Sequence, residues 1–93
     1  MNGSWNFLTN HAHVLLCIAR DPEVRLRDVA ALVGITERAV QRIVTDLEEA
    51  GYLKVSKAGR RNRYQIDRDQ PLRHPLERHR RVAALLELAG LPR

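Results

Sequence analysis

Gly34 and Thr36 stand two positions apart, and that spacing constrains the fold of this 93-residue chain more than any other feature. Gly34 closes a segment over residues 27–33 that carries apolar side chains at helical spacing, and Thr36 opens a second one that runs to Gly51. A glycine supplies the left-handed residue that ends a helix, and a threonine hydroxyl accepts a hydrogen bond from the free amides of a first turn. A helix, a glycine-containing turn of about three residues and a second helix make a helix-turn-helix unit. Ala30 is small where the two helices would cross, Gly34 can take positive φ in the turn, and Val29, Val33, Ile35, Val40 and Ile43 supply a shared core. The first of these helices is the less well marked: no Ser, Thr, Asn or Asp immediately precedes Arg27, although Asp28 suits a first turn.

The second helix, over residues 36–51, has two unlike faces. At roughly 100° per residue, Ala39, Val40, Ile43, Leu47 and Ala50 gather on one side and Arg38, Gln41, Arg42 and Thr45 on the other. Two guanidiniums, an amide and a hydroxyl are side chains that read base edges and hold phosphates when a helix lies in the major groove. Most surface helices are also amphipathic with cations on the wet side. The neighbouring segments decide between the two readings.

The net charge of +5 is unevenly spread. Residues 1–36 balance three basic against three acidic side chains, residues 37–50 carry two against four, and residues 51–93 carry eleven against four. An acidic partner is implied, and the excess lies in the C-terminal half. The length allows one domain with a modest core. One cysteine excludes an internal disulfide framework, and no basic-plus-apolar leader or apolar run of about 18 residues points to export or a membrane span, so a cytoplasmic setting is expected.

Upstream, Thr9 can cap a helix running to about Arg20, whose middle (Val14, Leu15, Leu16, Cys17, Ile18, Ala19) is apolar all round and so buried on most sides. Trp5 and Phe7 precede it in a segment too short to fold alone and are expected to dock on something. Asp21 and Pro22 end this helix, and Val24, Arg25 and Leu26 alternate as a short strand does. Downstream of Gly51, residues 52–56 and 63–66 read as strands of a hairpin joined by residues 57–62, with Gly59 and Asn62 supplying the turn. Lys57, Arg60, Arg61 and Arg63 make that loop strongly cationic. Following directly on a helix with an Arg- and Gln-bearing face, it can meet the same rod of phosphates.

The stretch from Arg25 to Ile66, RLRDVAALVGITERAVQRIVTDLEEAGYLKVSKAGRRNRYQI, resembles the winged-helix domain of bacterial transcription regulators of the MarR and ArsR type. The Ala30, Gly34, Ile35, Val40, Ile43 pattern, the LEEAGYL turn and the basic GRRNRY wing carry the likeness, which covers roughly residues 8–66. The resemblance implies an α+β, mainly helical fold: a winged helix-turn-helix with a three-helix core, a short strand and a two-stranded wing. It implies double-stranded DNA as partner, with a recognition helix from Thr36 in the major groove and Arg38, Gln41, Arg42, Glu37 and Thr45 near bases and phosphates. Arg60 or Arg61 would enter the adjacent minor groove, with Lys57, Asn62 and Arg63 on the backbone. The chain is shorter than a typical MarR-type protein and lacks the cysteine pairs and clustered histidines of metal-sensing ArsR-type members, so a ligand- or metal-sensing role does not carry over.

The remaining segment, residues 72–90, is expected to add a C-terminal helix with Pro75 in its first turn, running to about Ala89 and ending at Gly90. Its apolar residues sweep more than half the circumference, wider than docking on one surface requires. Regulators of this type commonly dimerise through terminal helices, so a two-fold homodimer is expected with Trp5, Leu8, Val82, Leu85, Leu86 and Leu88 at the interface. The other possibility is that the first and last helices cover each other within one protomer.

Other chemistry finds little support. His11 and His13 fall on different sides of a helix, and His74 and His79 lack partners at ligand spacing, so they are read as solvated or capping, and no metal or cofactor is expected. Cys17, in the most apolar run, reads as a small buried hydrophobe with a raised pKa. There is no glycine-rich phosphate loop and no nucleophile with a plausible base, so an enzyme is not expected. Two functions stand: a sequence-specific DNA-binding regulator acting as a repressor, or a winged helix that binds an acidic protein partner. The cationic wing favours DNA.

Overall fold

In the computed structural model, which describes residues 5–91, the first helix, α1, spans Asn10–Arg20 and is capped as expected: the Thr9 hydroxyl accepts from the Ala12 amide at 3.3 Å. Val14, Leu15 and Ile18 are buried, and Leu16, Cys17 and Ala19 pack partly against the same core, which accounts for the all-round apolar middle.

The expected strand at Val24, Arg25 and Leu26 does not form. Leu26 already belongs to α2, Leu26–Val33, and the amides of Asp28 and Val29 bond back to the Arg25 carbonyl. Burying Val29 and Ala30 requires helical spacing from Leu26 onward, and that demand overrides a three-residue alternation. Arg25 caps α2 with its backbone alone, as the absence of a capping side chain predicts. Gly34 ends α2 at φ +85°, and the amides of Gly34 and Ile35 both donate to the Ala30 carbonyl.

Helix α3 spans Glu37–Glu49, and the Thr36 hydroxyl accepts from the Ala39 amide at 3.0 Å. Val40, Ile43, Val44 and Leu47 are buried. Val44 was not on the expected face, whereas Ala50, which was, caps the helix at an exposed position. The Tyr52 amide reaches back to the Leu47 carbonyl at 2.8 Å and the Gly51 amide to Glu48, so the helix turns directly into a strand.

That strand, β1 (Leu53–Ala58), pairs antiparallel with β2 (Arg61–Ile66) from Leu53↔Ile66 to Ala58↔Arg61. The hairpin is longer and tighter than expected. Lys57, Ala58, Arg61 and Asn62 are paired strand residues, leaving Gly59 and Arg60 as a two-residue turn. Gly59 sits at φ +68° while Arg60 keeps negative φ, and a glycine first in a two-residue turn matches the twist of the strands it joins.

The C-terminal segment departs most from expectation. Its helix, α4, covers only Val82–Leu88. Residues 72–80 form turns instead, closed by a bridge between Pro71 and Arg81 and by amide-to-carbonyl bonds from Leu72 to Arg80 and from Val82 to Gln70. Arg78, His79, Arg80 and Arg81 offer no apolar face to bury, so packing does not favour continuing the helix through them. Val82 and Leu86 are fully buried in the protomer's own core, which corrects their assignment to a subunit interface. Tyr52 ties this segment down by donating its hydroxyl to the Pro71 carbonyl.

Among the described residues the buried side chains form one core that draws on every element, with Tyr52, Leu53, Tyr64 and Ile66 joining the helical residues. Truncating Leu86 to alanine should lower unfolding free energy by about 2–5 kcal/mol in denaturant titrations. A change near zero would show that α4 is not part of the cooperative fold. Burial raises the Cys17 thiol above its ordinary pKa, with Arg20 acting in the opposite direction. Thiol labelling at neutral pH should accordingly be slower than for free cysteine and should accelerate when the chain is unfolded.

Candidate nucleic-acid interface

The face of α3 opposite its buried stripe is built by subtraction. Once Val40, Ile43, Val44 and Leu47 turn inward, Arg38, Gln41, Arg42 and Thr45 are carried outward, and all four are exposed. Among the described residues, Arg38, Gln41 and Arg42 make no side-chain hydrogen bond or ion pair, so their donors remain available. The Thr45 hydroxyl donates to the Gln41 carbonyl at 3.0 Å, which leaves its oxygen as an acceptor. Thr36 is committed as the cap, and Glu37 is exposed in the first turn, where the helix dipole favours an anion.

Asp46, on the flank of this face, accepts from His11 Nε2 at 2.9 Å. His11, although exposed as expected, thus also bridges α1 and α3, a partnership that spans 35 positions and has no local sequence signal. His74 does cap a turn, accepting from the Leu76 amide, and also faces Glu77 at 3.7 Å. No group of three or more potential metal ligands occurs among the described residues.

The strand register divides the hairpin's cations between two faces. Directly paired residues share a side of the sheet, so Leu53, Val55, Tyr64 and Ile66 lie on the core side, with Lys57 and Asn62 continuing that side beyond the core. Lys54, Arg61 and Arg63 lie on the other side, and Arg60 occupies the tip. Lys57, Arg60, Arg61 and Arg63 are exposed, and Asn62 is half-buried. They therefore form a cationic finger with charge on both sides, rather than the flat patch that a count of charges suggests.

Sequence reasoning missed one residue beside this finger. Glu23, in the α1–α2 connection, brings its carboxylate to 3.6 Å from Arg63 Nη1, and its backbone carbonyl accepts from Arg61 Nη1 at 3.4 Å. Its place is set by two anchors. The Asp21 carboxylate accepts from the Glu23 amide at 3.1 Å, and the neighbouring Pro22 carbonyl accepts from the amide of buried Tyr64 at 2.9 Å. Asp21 followed by Pro22 signals a turn in the sequence, but nothing local says which strand that turn will meet.

A second feature lies elsewhere. Trp5, Phe7, Leu76 and Leu88 are exposed, and a groove of about 880 Å³ runs between the N-terminal segment, α1, the end of α3 and α4. Phe7, Leu8, Leu47, Leu72, Leu85 and Leu88 line it, and the Trp5 and Phe7 rings meet edge to face at 5.1 Å.

No curated protein matches the chain. The family model of the MarR family matches residues 5–62, which is more than half of the chain and takes in α1, the helix-turn-helix and most of the hairpin. With three helices leading into a two-stranded wing, and with an outward-facing, polar third helix, the chain belongs to the MarR family of DNA-binding transcription regulators.

Proposed function

We propose that this protein is a sequence-specific repressor that reads double-stranded DNA with α3 in the major groove and the β1–β2 hairpin against the neighbouring minor groove and phosphates. The observation that carries the proposal is the unpartnered polar face of α3. Arg38, Gln41 and Arg42 are exposed on the side opposite the core, with donors free of intramolecular commitments among the described residues. Arginine pairs bidentately with guanine and glutamine with adenine, so these two residue types suit direct readout. Thr36, Glu37 and Thr45 flank them, and Lys57, Arg60, Arg61, Asn62 and Arg63 supply phosphate and minor-groove contacts that set register without reading sequence.

The protein acts as a homodimer in the bacterial cytoplasm, with two half-sites about one helical turn apart. Trp5, Leu8, Leu85 and Leu88 form the subunit contact, joined by Phe7 and Leu76. These residues border or line the apolar groove, and exposed apolar surface of this kind marks interaction sites. A small-molecule effector is not assigned.

Selection of a random duplex pool on the purified protein should yield a motif with two-fold symmetry. On that motif, Arg38→Ala or Gln41→Ala should flatten discrimination by about 1–3 kcal/mol per lost base contact, measured against point-substituted duplexes. Arg60→Ala or Arg61→Ala should weaken binding evenly across sequences and lower the salt slope by about one. Unchanged affinity in all four variants would refute the assigned surface. Light scattering behind a sizing column should give about twice the 10.7 kDa chain mass at tens of micromolar. A clean monomer would refute the dimer, and Leu88→Asp should shift a true dimer toward monomer.

A further inference from the structure

We infer that Glu23 is an intramolecular competitor for phosphate that holds down the affinity of the wing, an inference that rests on the duplex-binding reading above. The hairpin and the residues joining it to α3 carry five cations and no acid: Lys54, Lys57, Arg60, Arg61 and Arg63 are the only charged side chains from residue 50 to residue 66. The carboxylate that reaches the hairpin comes from outside it. Glu23 pairs with Arg63 at 3.6 Å, while its own carbonyl takes the Arg61 guanidinium at 3.4 Å. Both arginines that the register places on the outer face of β2 are thus drawn to one residue, whereas Lys57 and Arg60 have no side-chain partner among the described residues.

The arrangement is positioned, yet displaceable. The bonds from the Glu23 amide to the Asp21 carboxylate and from the Tyr64 amide to the Pro22 carbonyl hold the acid beside β2. The ion pair itself is open to solvent, with side-chain exposures of 61% for Arg63 and 40% for Glu23. Exposed pairs of this kind are weak, and a duplex phosphodiester, with two anionic non-bridging oxygens, offers the same guanidinium an equivalent charge-assisted partner. A duplex must therefore displace Glu23 from Arg63 or bind with an uncompensated carboxylate at its edge. Either way, one unit of the hairpin's charge is withheld from the phosphates. Phosphate contact carries no sequence information, so the restraint falls on indiscriminate binding and leaves the reading of bases to α3.

Glu23→Gln keeps the shape and the backbone carbonyl but removes the charge. Fluorescence anisotropy on the selected duplex and on an unrelated duplex of equal length should show tightening of both by about three- to tenfold at low salt. The slope of log affinity against log salt should steepen by about one. Glu23→Asp, which retains the charge, should stay within about twofold of the wild type. In an Arg63→Ala background the gain from Glu23→Gln should shrink to below about twofold, because the pair no longer exists. Unchanged or weaker binding by Glu23→Gln, or a gain that persists without Arg63, would overturn the inference while leaving wild-type duplex binding intact. A wild-type protein that retains no duplex from the pool would overturn the DNA reading and the inference together.

Discussion

The burial of Val40, Ile43, Val44 and Leu47 against α1 and α2 is the interaction on which the rest of this molecule depends. At 8 and 13 residues, α2 and α3 are at or below the length of about 12–15 residues under which isolated helices are marginal in water. Each persists because the other, with α1, covers its apolar stripe. That shared burial fixes the rotation of α3 about its axis, and the rotation alone decides that Arg38, Gln41 and Arg42 face solvent. The polar face is a geometric consequence of the core, so the same side chains that stabilise the fold also orient the surface that meets a partner.

The hairpin and the C-terminal segment extend this core instead of standing apart from it. Tyr52 links the three parts: its amide closes α3 on Leu47, its carbonyl accepts from Asp67 at 3.0 Å, and its hydroxyl holds Pro71. Leu53, Tyr64 and Ile66 then anchor the base of the wing, while its outer half carries no buried residue. With Val82 and Leu86 spent inside the protomer, the apolar surplus of α4 narrows to Leu85 and Leu88. The two readings of the terminal helices thus divide between residues. Val82 and Leu86 are buried in the protomer's own core, and the exposed remainder borders the groove.

Charge is organised by the same packing. Among the described residues the arginines of α3 have no acidic partner, whereas the arginines on the outer face of β2 meet Glu23 and the carboxylate of Asp46 meets His11. The two arginine-bearing surfaces are therefore unlike. One has its donors free, and the other begins partly compensated.

Local chemistry was enough to define most of the framework. Thr9 and Thr36 cap α1 and α3, Gly34 and Gly51 end α2 and α3, and the two faces of α3 follow from one residue every 100° or so. These depend on neighbours within about five positions, which a sequence displays directly. Three features lay beyond that range: the loss of a strand at residues 24–26, the shortening of the last helix to Val82–Leu88, and the attachment of Glu23 to the wing. Each lies beside a contact with a residue distant in the chain. Tyr64 meets Pro22, Gln70 meets Val82, and Arg63 meets Glu23. A residue pattern states what a segment is able to form, but which backbone groups and charges it faces depends on how segments pack, and only the folded chain brings those groups within bonding distance.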